Sequence, residues 1–220
     1  MFDINNILFT VPYFGYSLSL VELWSTVLGL WCVIAFRKNS MWAYPIGILN
    51  SIGFIAIFYQ VQLYSDLMLN VFFILISILG WFWWLRKDPN GVPDLKITRM
   101  SNRNRAFLLI AIAVLTAELA MNIDVIFSGL ALTVAEVLGT EYTHVPAALP
   151  FWDALTTVTS IAAMILTTRK YFEAWILWTV VNVVCIGVYM YQGIPFMALE
   201  YSVFLINSVL GVYQWNRISK

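Results

Sequence analysis

Residues 169–192 read RKYFEAWILWTVVNVVCIGVYMYQ, and residues 37–60 read RKNSMWAYPIGILNSIGFIAIFYQ. Each stretch opens on Arg-Lys, closes on Tyr-Gln, and between them holds about the 20 mostly apolar residues that a helix needs to cross a bilayer. A shift of 132 residues carries Arg37-Lys38 onto Arg169-Lys170, Asn50 onto Asn182, and Tyr59-Gln60 onto Tyr191-Gln192. Past the next turn the shift becomes 131. It then carries Phe73 onto Phe204, Ser77 onto Ser208, Gly80 onto Gly211 and Trp84 onto Trp215. The chain reads as two copies of one helical unit, each ending in Gly-x-x-x-Trp.

Working outward, seven apolar runs qualify as spans: 16–36, 41–61, 65–85, 105–126, 151–168, 172–191 and 196–216. Composition agrees. Of 220 residues, 61% are hydrophobic and 11% charged, with mean hydropathy +0.82. A soluble domain carries about a quarter charged residues to wet its surface, and a bilayer removes that need. The expected fold is an all-α polytopic membrane protein with 3+1+3 parallel repeats. Residues 1–15 form an N-terminal interfacial segment and 16–85 the first three-helix repeat. Residues 86–104 form a basic loop, 105–149 a linker helix with an outer loop, and 150–217 the second repeat. The first residues lack a basic start and a small-residue cleavage site, so a signal peptide is not expected. They read instead as a short interfacial or re-entrant helix. Residues 127–150 read as a helical extension of the fourth span plus the outer loop.

All twelve Lys and Arg residues fall at one end of these spans: Arg37, Lys38, Arg86, Lys87, Lys96, Arg99, Arg103, Arg105, Arg169, Lys170, Arg217 and Lys220. The loops at the other end hold Asp3, Asp66, Asp124 and Glu141. Basic loops stay cytoplasmic. The expected topology is an outside N-terminus and a cytoplasmic C-terminus.

Polar groups within a span cost free energy unless partnered, so they are functional candidates. Trp175, Trp178, Asn182 and Tyr189 stand at i, i+3, i+7 and i+14 on one face of the sixth span. Two indoles beside a carboxamide make an aromatic slot with a polar end, able to stack a flat ring or attract a cation; Trp175, near Arg169-Lys170, reads equally as part of an interfacial aromatic belt. Asn50 joins them through the repeat, preceded by Trp42, Tyr44 and Pro45; Gln60 and Asn70 follow more loosely. In the seventh span Glu200 and Asn207 share a face with Phe204 between them. Glu200 reads as a solvated carboxylate near the outer surface, and Asn207 as either a site residue or a helix–helix hydrogen-bonding group. Glu22 and Asp153 suit helix N-terminal turns. His144, the single histidine, falls in the outer loop, away from any proton path through the spans. Cys32 and Cys185 sit in apolar runs without metal or disulfide spacing.

No phosphate-cradling glycine loop, zinc-protease motif or nucleophile elbow occurs. No catalytic residues, metal or cofactor are expected, and no nucleic-acid partner. A retinal protein would need a Lys in the last span, and 196–216 has none. An enzyme acting on lipids would need an interfacial cluster that one His does not supply.

The Trp175-x-x-Trp178-x-x-x-Asn182 motif, the 3+1+3 pattern and the basic inner loops resemble the Pnu family of vitamin transporters, in particular its nicotinamide riboside branch. The resemblance covers essentially the whole chain. It implies a SWEET-like fold, homotrimers in the bacterial inner membrane, and a pocket between the halves lined by Trp175, Trp178 and Asn182. It implies facilitated diffusion of nicotinamide riboside by alternating access, followed by trapping through a cytoplasmic kinase. Sibling families carry thiamine or riboflavin, so another flat-ring vitamin stays open. So does proton coupling through Glu22, Asp153 or Glu200.

Overall fold

The computed structural model describes residues 7–11, 16–60, 64–87, 90–91, 93–139, 148–193 and 195–219. Among the described residues seven helices make the body: α1 Leu20–Arg37, α2 Ala43–Gln60, α3 Tyr64–Leu85, α4 Asn102–Leu138, α5 Pro150–Thr168, α6 Glu173–Tyr191 and α7 Pro195–Ile218. Before them, β1 (Ile7–Val11) and β2 (Tyr16–Ser19) pair antiparallel. This corrects the expected N-terminal helix and moves the first helix's start from residue 16 to Leu20. The run Ile7-Leu-Phe-Thr-Val11 is rich in β-branched and aromatic residues, which favour extended backbone.

Among the described residues four helices, α3 to α6, are long and apolar enough to cross a membrane; α1 and α2 hold shorter apolar segments. At 18 residues each, α1 and α2 extend about 27 Å, close to the bilayer's apolar thickness. Helix α4 runs 37 residues, about 56 Å. Its start is capped by Ser101, whose hydroxyl accepts from Asn104 N at 3.3 Å, and its end by Gly139 at φ 65°. The expected helical extension past residue 126 is therefore present to Leu138. Its flank is unusually bare: Phe107, Met121, Val125 and Val137 are each about three-quarters exposed, the pattern of a helix solvated by lipid. Between α4 and α5 lies an apolar groove of about 530 Å³.

The spatial neighbours are α1–α2–α3 on one side and α5–α6–α7 on the other, joined by α1 against α7 and α3 against α5. Backbone hydrogen bonds of the two helix-connecting turns correspond one for one. Ser40 N donates to Ala35 O at 2.9 Å, as Tyr171 N does to Leu166 O at 2.9 Å. Asn39 N donates to Phe36 O at 2.9 Å, as Lys170 N does to Thr167 O at 3.0 Å. Asn39 (φ 54°) and Lys170 (φ 57°) share the left-handed backbone. Every pair is 131 residues apart. The ends of α1 and α5, of α2 and α6, and the starts of α3 and α7 keep that spacing. The shift of 132 read from residue identities is thus corrected to 131. Asn182 corresponds to Ser51, and Trp175 to Tyr44. An uninterrupted helix cannot absorb a one-residue slip without a bulge, so geometry overrides letter matches.

The ends of α1, α3, α5 and α7 gather at one end of the bundle with most of the basic residues. There the connector after α3 is stitched to the second half. Thr98 N donates to Lys170 O at 3.1 Å, and Phe172 N to Thr98 O at 2.9 Å. Arg99 bonds Ser219 Oγ at 3.1 Å and Asn216, and its guanidinium lies 4.9 Å from the Phe172 ring centre. Lys170 is buried with its ammonium 4.2 Å from the Trp84 ring centre. Burial pushes its pKa below the usual lysine value.

Candidate functional site at the junction of the halves

On one side of the junction α1 meets α7; on the other α3 meets α5. Asn207 Nδ2 donates to the Val33 carbonyl at 3.1 Å, crossing from the second half to the first. Of the two roles open to Asn207, the helix–helix bond is the one observed. One turn earlier on α7, the Phe204 ring reaches the surface of Gly29 on α1. Asn50 of α2 meets the same spot: a methyl on Gly29 would stand 3.4 Å from Asn50 Oδ1 and 3.7 Å from Phe204 Cζ. The missing side chain at Gly29 therefore brings an amide oxygen and an aromatic edge together between the halves. Asn50 Oδ1 is buried and has no hydrogen-bond partner. A buried acceptor in that condition costs free energy until something donates to it.

From Phe204 an aromatic series runs outward. Tyr201 packs edge-on against Phe204 at 5.7 Å, and Tyr189 of α6 lies 5.3 Å from Tyr201. Tyr189 thus reaches the junction through Tyr201, a residue the sequence reading passed over. On the α6–α7 side Asn182 is buried, and its Nδ2 lies 3.3 Å from Ser208 Oγ. Ser208 also bonds Thr179 at 3.1 Å and donates to Leu205 O at 2.9 Å. Paired Ser77 and Ser208 were legible as repeats, but only contact shows Ser208 holding Asn182.

The two indoles take different places. Trp175 is 3% exposed, laid over Gly211 and edge-on to Trp215 at 5.6 Å. Its Nε1 is buried without a partner. Trp178 is half-buried and donates from Nε1 to Thr167 Oγ1 at 3.1 Å, within its own half. Tyr44 is fully buried over Gly80, edge-on to Phe36 and Trp84 at 5.1 Å each, with its hydroxyl unpartnered. Trp42 is not brought to this group: it is 68% exposed at the α1–α2 turn. Asn70 is buried in α3. Glu200 is 8% exposed and engaged with neighbours, which corrects its reading as a solvated carboxylate. A carboxylate's place in the sequence gives its depth but not what packs over it. Gln60 ends α2 with its side chain outside the described residues, as are the side chains of Glu22 and Asp66; Asp3, Glu141 and His144 lie outside altogether. Among the described residues no group of three His, Cys, Asp or Glu side chains could hold a metal.

Residues 19–217 match the family described as Nicotinamide mononucleotide transporter. The chain belongs to this family. Within the nicotinamide mononucleotide transporter family, the Nicotinamide riboside transporter PnuC of Escherichia coli (strain K12) is 35% identical, across 97% of this chain and 93% of that protein. The Nicotinamide riboside transporter PnuC of Neisseria mucosa is 25% identical, across 89% of this chain and 72% of that protein. A solved structure, "Crystal structure of the Vitamin B3 transporter PnuC", aligns with TM-score 0.65 at 25% identity, over 90% of this chain and 81% of that one. Family membership makes this chain a multi-pass membrane transporter and not an enzyme. The resemblance drawn from the Trp-x-x-Trp-x-x-x-Asn motif is upheld.

Proposed function

We propose that this transporter carries nicotinamide riboside through the junction between its halves. The observation that carries the reading is the unpartnered Asn50 carbonyl oxygen beside Phe204. A nicotinamide group offers an amide N–H for that oxygen and a cationic ring for the aromatic face. The relatives named as nicotinamide riboside transporters support the same substrate. The family's description names the mononucleotide instead. A phosphate within the membrane would call for Lys or Arg. None occurs between Lys38 and Arg86, between Arg105 and Arg169, or between Lys170 and Arg217. The uncharged ribose is therefore favoured over its phosphate.

Trp175, Trp178, Asn182, Tyr189 and Asn207 form the second-half side of this pocket, with Asn50, Tyr44 and Asn70 opposite. The two three-helix halves are parallel repeats of SWEET-like design. They rock to expose the pocket alternately to each side. Transport is facilitated diffusion. A cytoplasmic kinase traps the product by adding charge. The chain sits in a bacterial inner membrane as a homotrimer, N-terminus outside, with its basic end toward the cytoplasm.

Calorimetry on the purified protein with nicotinamide riboside, nicotinamide mononucleotide, thiamine and riboflavin tests the substrate. Heat from the riboside alone is the expected result. Preference for the mononucleotide, or for another vitamin, would overturn it.

A further inference from the structure

The Gly-x-x-x-Trp endings of the two halves have no part in holding a solute, yet the structure uses both in the same way. Gly80 and Gly211 leave room for the aromatic ring of the neighbouring helix, Tyr44 and Trp175 respectively; a methyl at either would overlap that ring. One turn on, each tryptophan reaches into the opposite half. Trp84 Nε1 of α3 donates to Thr168 O, the last residue of α5, at 3.0 Å. Trp215 Nε1 of α7 donates to Arg37 O, the last residue of α1, at 3.0 Å. Donors and acceptors alike are 131 residues apart, so the two bonds are one contact made twice with the halves exchanged.

The acceptors are carbonyls at helix C-termini, which have no partner within their own helix. Trp84, Trp215 and Thr168 are 5%, 0% and 0% exposed. With Phe36, Tyr44 and Trp175 the two tryptophans close the basic end of the junction in one packed cluster. Besides the indole N–H bonds, the Lys170 ammonium over the Trp84 ring and a Cys32 thiol bond to Ala43 O within the first half, the cluster's contacts are apolar, and apolar contact slides without a fixed register. A buried N–H bond is made or lost as a unit, and its loss leaves both groups unsatisfied. Two such bonds, placed symmetrically across the line along which the halves must part, give that end two discrete states.

We infer that Trp84 and Trp215 are a paired gate. Their reciprocal bonds hold the basic end shut, and both break when that end opens to pass solute. The inference rests on the alternating-access reading above. Its test uses Thr168→Cys as reporter in a Cys32→Ala, Cys185→Ala background, purified in detergent and treated with a bulky maleimide. Labelling is expected to be slow in the parent. It should quicken about tenfold in Trp84→Phe or Trp215→Phe, which keep a ring and lose the donor, and further in the double variant. A second reporter, Ala163→Cys, buried inside the second half, should stay slow throughout. Unchanged labelling of Thr168→Cys, or equal quickening at both reporters, would overturn the gate. Nicotinamide riboside uptake by the parent in vesicles separates the two ideas. Uptake with unchanged labelling sinks the gate alone. Selective labelling without uptake sinks the substrate and upholds the gate.

Discussion

The Arg105 guanidinium stands 2.7 Å from the Glu173 carboxylate, pinning the start of α4 to the start of α6. Glu173 also accepts from Met100 N at 3.1 Å and is itself buried. The bridge therefore ties the linker helix to the second half, and α4 should move with that half. Arg105→Ala leaves a buried carboxylate with one weak donor. It is expected to destabilise the protein by about 1–3 kcal/mol, visible as a lower melting temperature in detergent. Glu173→Gln, which keeps an acceptor and relieves the charge, should cost less. Equal melting of wild type and Arg105→Ala would show that the bridge contributes nothing.

Asn50 offers a cleaner separation of binding from stability. Its Oδ1 has no protein partner, so removing it breaks no bond of that oxygen. Asn50→Ala should weaken nicotinamide riboside binding by about 10- to 100-fold while leaving melting unchanged or slightly raised. Asn182→Ala removes a bond to Ser208, so it should lower both affinity and melting temperature. Paired titrations and melts on the two variants check the contrast.

The close approach over Gly211 sets a steric prediction. A methyl there would overlap the Trp175 indole. Gly211→Ala should cost about 1–3 kcal/mol through overpacking and displace the indole from Trp215. Gly187, also in a helix of the second half, meets nothing within 4 Å. Gly187→Ala should be neutral or stabilise by about 0.5–1 kcal/mol through helix propensity. Thermal unfolding of both variants decides it.

Glu200 is the buried carboxylate best placed to couple transport to protons. Facilitated diffusion predicts that Glu200→Gln keeps equilibrative uptake in proteoliposomes, with no response to an imposed pH gradient. Uphill accumulation driven by that gradient, and lost in the variant, would establish coupling instead.

The sequence alone determined the membrane class, the helical fold and the clustering of basic residues at one end. Each follows from composition and from local rules about apolar length, which act within a single helix. Tertiary structure decided the rest. Letter matches at Arg-Lys, Asn and Tyr-Gln pointed to a shift of 132, and the turn hydrogen bonds set it at 131. Helical periodicity put Trp175, Trp178 and Asn182 on one face, yet their partners divide between two helices, Trp215 and Ser208 on α7 and Thr167 on α5. Phe204, Gly29 and Asn50 meet only because three helices converge between the halves. The exchange of Trp84 and Trp215 across the repeat was likewise invisible, since a sequence shows that two tryptophans correspond but not which carbonyl each one reaches. Side-chain type and spacing are local properties. Which groups stay unpartnered depends on how whole helices pack, and the solute site and the gate both depend on that.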